Sequence, residues 1–148
     1  PGSPTQTLWL AWMETLVERW QDREIIAAWE IFSEVNLASG VTEATGVDFV
    51  NRAAALIRAA DLSHRPVTAS IADTGLWPIF YQDTAIDFIN IHPYPISAQL
   101  DRVIISEVRP LLALYNRPVL IGESGLSADA PDSSTATNPS HVTRILHK

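Results

Sequence analysis

Apolar positions along the chain change period repeatedly, from every third or fourth residue to short unbroken runs and back. After Pro4, the residues Trp9, Trp12, Met13, Leu16 and Trp20 recur three or four apart and predict a helix at about 5–21 with one apolar face. Gln21-Asp22-Arg23-Glu24 ends it, and Ile25 to Phe32 reads as a buried strand. A loop over 33–46 leads to a second amphipathic helix that buries Phe49, Val50, Ala53, Ala54 and Ile57, with Thr45 and Asp48 spaced to cap its start. Pro66 to Ala72 is a second strand, and 75–82 a short helix with Pro78 near its first turn. Ile86 to His92 is a third strand, stopped by Pro93 and Pro95. Leu100, Val103, Ile104 and Leu111 mark a helix that Pro110 kinks or divides. Pro118 to Gly122 is a fourth strand running into Glu123, followed by a long polar loop and a last helix from about Ser140.

No two of these strands lie close enough for a hairpin, and each connection carries a helix. That pattern demands parallel strands with right-handed crossovers. The expected architecture is therefore α/β: one domain over 1–148, four parallel strands each followed by a helix, and an extra helix at the N-terminal end.

The polar residues are distributed unevenly over these strands. Their carboxyl ends carry Ser33-Glu34-Val35-Asn36, Asp73-Thr74, His92-Pro93-Tyr94 and Glu123-Ser124, whereas their amino ends are ordinary. Carboxyl ends form the face where parallel α/β proteins bind ligands. Two glutamates there suggest paired carboxylate chemistry. A glycosidic bond is cleaved by one carboxyl group that protonates the leaving oxygen and a second that attacks the sugar or activates water.

Composition removes several classes. A net charge of −7 opposes nucleic-acid binding, which needs a Lys/Arg surface. No apolar run reaches the roughly 20 residues of a membrane span. With no cysteine, thiolate metal sites and a Cys nucleophile are excluded, and His64, His141 and His147 lack metal-ligand spacing, so neither a metal nor a cofactor is expected. The compartment stays open, secretion included. Neither GxGxxG nor GxxxxGK[ST] follows a strand, which counts against a nucleotide-binding domain.

Three stretches resemble the (β/α)8 retaining glycoside hydrolases of clan A, most closely the cellulase and β-mannanase-like members of glycoside hydrolase family 5. Trp29-Glu30-Ile31-Phe32-Ser33-Glu34 is similar to the end of that family's fourth strand. His92-Pro93-Tyr94 is similar to its sixth-strand His-x-Tyr, and Pro118-Val119-Leu120-Ile121-Gly122-Glu123 to its seventh strand. The resemblance implies Glu34 as acid/base and Glu123 as nucleophile, roughly 90 residues apart, with Tyr94 orienting Glu123. It further implies that His92 and Ser33 line the substrate site, and Asn36, at the same strand end, is a further candidate there. Trp77, in the loop after the second strand, is a candidate for stacking on a sugar ring.

Two departures accompany it. The family's Asn before the acid/base is Ser33 here, which offers different hydrogen bonds. A full barrel has eight strands and typically ~250 residues, and the similarity covers only the part from the third helix to the start of the seventh. The opening Pro1-Gly2-Ser3-Pro4 reads as the edge of a fragment. Four parallel strands cannot close, so a half barrel completed by homodimerisation is expected. The expected partners are a polysaccharide or oligosaccharide substrate and a second copy of the chain. The alternative is a catalytically inactive half barrel that serves as a carbohydrate-binding or structural module.

Overall fold

A computed structural model describes residues 2–72, 77–93 and 104–124. These residues form four α-helices and five short strands, a mixed α/β fold in which every strand pairing among them is parallel.

Helix α1 (Pro4–Trp20) is capped by Ser3, which accepts from the Gln6 backbone N–H while the Gln6 side chain accepts from the Ser3 N–H. Its buried residues are Leu10, Met13 and Val17, with Trp9 half-buried. Trp12, expected on the apolar face, is 56% exposed, and Trp20 is also exposed. Helix α2 (Glu43–Ala60) buries Phe49, Val50, Ala53, Ala54 and Ile57 as expected. Its capping box uses Thr42 and Thr45 rather than Thr45 and Asp48, so the helix begins a turn earlier.

Strand β1 (Trp29–Glu30) pairs with β2 (Val67–Thr68), while β3 (Ser70–Ile71) pairs with β4 (Ile89–Ile91), which pairs with β5 (Val119–Ile121). The two small sheets meet in the run Val67–Ile71. One edge of that run receives Trp29 N–H at Pro66 O and Ile31 N–H at Thr68 O, and its Ser70 N–H donates to Phe32 O. Its other edge takes Asp87 N–H at Val67 O and then the β3–β4 ladder. The pairings therefore follow chain order.

Helix α3 (Phe80–Asp83) is shorter than expected, and α4 (Arg109–Tyr115) follows a π-helical turn (Ile104–Val108). Pro110 stands in the first turn of α4, where the division was expected. Asp73-Thr74, Tyr94, the early part of the third expected connection, and the loop and helix expected after Glu123 lie outside the described residues.

In-register parallel neighbours point the same way, so the register sorts the sheet into two faces. Ile31, Val67, Ala69, Ile71, Ile89 and Ile91 join residues of α1 and α2 in one core. Each fully buried side chain of this kind contributes about 1.5–3 kcal/mol. The other face carries Glu30, Thr68, Ser70, Asn90 and Leu120. There Thr68 Oγ1 donates to Phe88 O at 2.7 Å, and Asn90 Nδ2 donates to Glu30 Oε1 at 3.0 Å. Glu30 is thus paired across the sheet with Asn90.

Ladder pairing is shorter than the expected strand Ile25–Phe32, for an electrostatic reason. The carbonyls of Arg23 and Ile26 accept from the Arg65 guanidinium instead of a strand, and Ile25 is 92% exposed. Asp61 holds Arg65 in place. Buried at the end of α2, it accepts from Arg65 Nη1 at 2.9 Å, the backbone N–H groups of Ser63 and Arg65, and Trp29 Nε1 at 2.9 Å. Burial alone raises this carboxyl, but the Trp29, Arg65 and Ser63 donors and the Arg65 charge outweigh it and hold it below its ordinary value of 3.8.

Replacing Asp61 by Ala leaves the largely buried Arg65 guanidinium without its counter-charge and three N–H donors, of Ser63, Arg65 and the Trp29 indole, without their acceptor, so it should destabilise the protein by about 3 kcal/mol. Because the folded-state pKa is depressed, Asp61 contributes fully above 3.8 and loses that contribution as pH falls through the folded value. Urea unfolding at descending pH should therefore show a loss of stability in acid that is smaller in Asp61→Asn. Equal acid dependence in the two proteins would remove the clamp from this role.

Candidate functional site

The chain leaves β1 through Ile31 and Phe32, both still bonded to the central run, and then turns sharply. Glu34 takes up that turn in the left-handed region, at φ 56 and ψ 52. For a residue with a Cβ this costs roughly 1–2 kcal/mol, and it persists only where the surroundings over-determine it. Here they do. Glu34 N–H donates to Ser70 Oγ at 2.9 Å, and Leu37 N–H donates to Glu34 O at 2.9 Å. Val35 is buried in the core, and Asn36 Oδ1 accepts from Ala72 N–H at 2.8 Å. Ser70 and Asn36 thus stitch the turn to the end of the central run.

The Glu34 carboxylate meets His92 at the end of β4. His92 Nδ1 stands 3.0 Å from Glu34 Oε1 and 3.8 Å from Glu123 Oε1, and the residue is 4% exposed. Glu123, two residues after β5, is more open, and Ser33 Oγ approaches its Oε1 at 3.5 Å, the long limit of a hydrogen bond. One ligand-type atom from each of Glu34, His92 and Glu123 lies within 4.8 Å of the others. Residues far apart in sequence therefore converge at the carboxyl ends of three strands.

The arrangement can bind a hydroxylated group between two carboxylates and shuttle a proton, with the imidazole fixing the Glu34 side chain. The same donors, two carboxylate oxygens and an imidazole, are those a divalent cation takes. A cation would require the carboxylates to close in on it, whereas the 3.0 Å Glu34–His92 contact is already a hydrogen-bond length.

Of the residues expected from sequence, Glu34, His92, Glu123 and Ser33 come together. Asn36 is beside them, but its Oδ1 is committed to Ala72, and its buried Nδ2 has no hydrogen-bond partner among the described residues. Trp77 packs over Gly46 and against Phe80, ring centroids 5.7 Å apart, so a side chain at Gly46 would collide with the indole. These contacts fix Trp77, and neither involves Glu34, His92 or Glu123. Tyr94 lies outside the described residues.

Two residues at the site escaped the sequence reading. Ser70 fixes the Glu34 backbone, and Asn90, 3% exposed, lies directly over Gly122, where any Cβ would overlap its amide. The absence of a side chain at Gly122 lets β5 approach β4 at the point where Glu123 leaves the sheet. The signal for both was a polar residue inside an apolar run, in Ala69-Ser70-Ile71 and Ile89-Asn90-Ile91. Comparison of the chain with protein-family models, with curated proteins and with solved structures gives no match.

The left-handed turn predicts an unusual order of stability. Glu34→Gly and Glu34→Ala remove the same carboxylate, but only glycine adopts φ 56 without strain. The glycine variant should be the more stable of the two by about 1 kcal/mol in urea unfolding. Alanine equal to or above glycine would show that the turn relaxes and is not held.

Proposed function

We propose that this chain is a glycoside hydrolase that cleaves β-glycosidic bonds of a polysaccharide or oligosaccharide by a retaining, double-displacement reaction. The observation that carries the reading is the convergence of Glu34 and Glu123, with carboxylate oxygens within 4.8 Å of each other beside His92. Retaining enzymes hold their two carboxyl groups about 5–5.5 Å apart, whereas inverting enzymes leave ~6.5–9.5 Å for a water. An approach of one oxygen from each carboxylate within 4.8 Å accords with the shorter class.

In this reaction Glu123 attacks the anomeric carbon while Glu34 gives its proton to the departing oxygen, and the glycosidic C–O bond breaks. A glycosyl ester on Glu123 results. Water then enters, loses a proton to Glu34 and attacks the same carbon, which releases the sugar and restores both side chains. His92 holds the Glu34 carboxyl through Nδ1, and Ser33 offers a hydroxyl to the sugar or to Glu123. Tyr94 is assigned the orientation of Glu123 by the family resemblance, whereas sugar contacts are assigned to Asn36 by its place at the strand end and to Trp77 by its place in the loop after the second expected strand.

The same reading includes a second copy of the chain. Strands β1 and β5 are the outer strands of the described order, and with Val67–Ile71 taken as one strand each copy has four, so edge-to-edge pairing of two copies would give the eight of a closed barrel. The alternative, an inactive half barrel that binds carbohydrate, predicts sugar binding without turnover.

Reducing-end assays on β-glucans and β-mannans should show hydrolysis whose specific activity rises with protein concentration as dimers form. Glu34→Gln and Glu123→Gln should each lower kcat by at least about a hundredfold, and a chelator should change nothing. Activity retained in both variants would reject the assigned roles. Activity that is independent of concentration, from a monomer in sedimentation, would reject the dimer.

A further inference from the structure

A cavity of about 500 Å³ is lined by the N-terminal ends of α1 and α2 and by the loop after β1. None of Glu34, His92 and Glu123 lines it. Its volume lies within the range of small-molecule sites. Its floor is aromatic: Trp9 meets Phe49 edge-on at 4.9 Å between centroids and Phe32 at 6.3 Å. Its mouth carries the exposed hydroxyls of Thr5 and Ser39, which have no hydrogen-bond partner among the described residues. Gly40, at φ 74, leaves open space there.

Among the described residues, no charged side chain lines the cavity. An ionic ligand would be desolvated against aromatic rings with no counter-charge to meet it. A plain hydrocarbon would use the floor and leave the hydroxyls to water. A pyranose has what both parts want, an apolar C–H face for the rings and edge hydroxyls for Thr5 and Ser39. We propose that this cavity is a second binding site, for one neutral sugar unit, separate from the carboxylate cluster. Phe32 and Val35 line its wall and flank Ser33 and Glu34 in the chain, so an occupant would also brace the turn that carries Glu34.

The test is independent of hydrolysis. In a Glu34→Gln/Glu123→Gln double variant, the Trp9 indole N–H resonance, assigned by its loss in Trp9→Phe, is followed during titration with cellobiose and with mannobiose. A saturable shift is expected with at least one of them. Ser39→Trp, an exposed change that plugs the mouth, should weaken that binding roughly tenfold or more. Ala38→Leu, which narrows the cavity from the adjoining position, should weaken it too, and it replaces the first variant if the first does not fold. Failure of the resonance to move with either sugar would overturn the proposal. So would a shift untouched by the plugging variants, or tighter binding of glucuronate than of the neutral sugars.

Discussion

Everything in this fold hangs on the register of one extended run, Val67-Thr68-Ala69-Ser70-Ile71. It is bonded to the β1 segment along one edge and to the β4 segment along the other, and it joins the two sheets. Its alternation is strict. Val67, Ala69 and Ile71 face the core, while Thr68 and Ser70 face the polar side. A slip of one residue would exchange the two sets and bury hydroxyls among Ile and Val side chains. It would also remove Ser70 Oγ from the Glu34 N–H and Thr68 Oγ1 from Phe88 O. Core packing and site geometry therefore select the same register.

The polar face determines what the strand ends can do. Parallel strands present their carboxyl ends together, so a carboxylate after β1, an imidazole after β4 and a carboxylate after β5 meet without any long loop to carry them. Precision comes from constraints beneath them: a turn forced left-handed at Glu34, a serine and an asparagine that tie this turn to the central run, and a glycine that admits Asn90 below Glu123. Asn90 Oδ1, buried without a hydrogen-bond partner among the described residues, sits in the same layer. Strain and unmet polar capacity of this kind gather at functional sites. At the other end of the sheet, Asp61 and Arg65 meet every demand placed on them and anchor the structure.

Periodicity made the class of the fold legible, because helices and strands alternated without a hairpin and the strand-end acids fell on one face. The convergence of Ser33, Glu34, His92 and Glu123 followed from parallel topology alone. Extent was less legible. Ile25 and Ile26 have the composition of a strand, yet a distant arginine takes the nearby carbonyls, and no local pattern announces that. Trp12 and Trp20 share the helical spacing of the buried positions, but α1 turns Leu10, Met13 and Val17 toward α2. Trp77 reads as a free loop aromatic until Gly46 is seen to make room for it. In each case the deciding partner lies far away in sequence.

The central claim is that Glu123 attacks a sugar carbon while Glu34 serves its leaving group. Intact-protein and peptide mass spectrometry after incubation with activated 2-deoxy-2-fluoro-β-glucosides and mannosides measures this most directly, since the fluorine slows release of a glycosyl ester. One fluoroglycosyl unit attached to the peptide bearing Glu123 is the result expected. No adduct with either sugar, or an adduct on another residue, would contradict the assignment of the strand-end carboxylates to retaining catalysis.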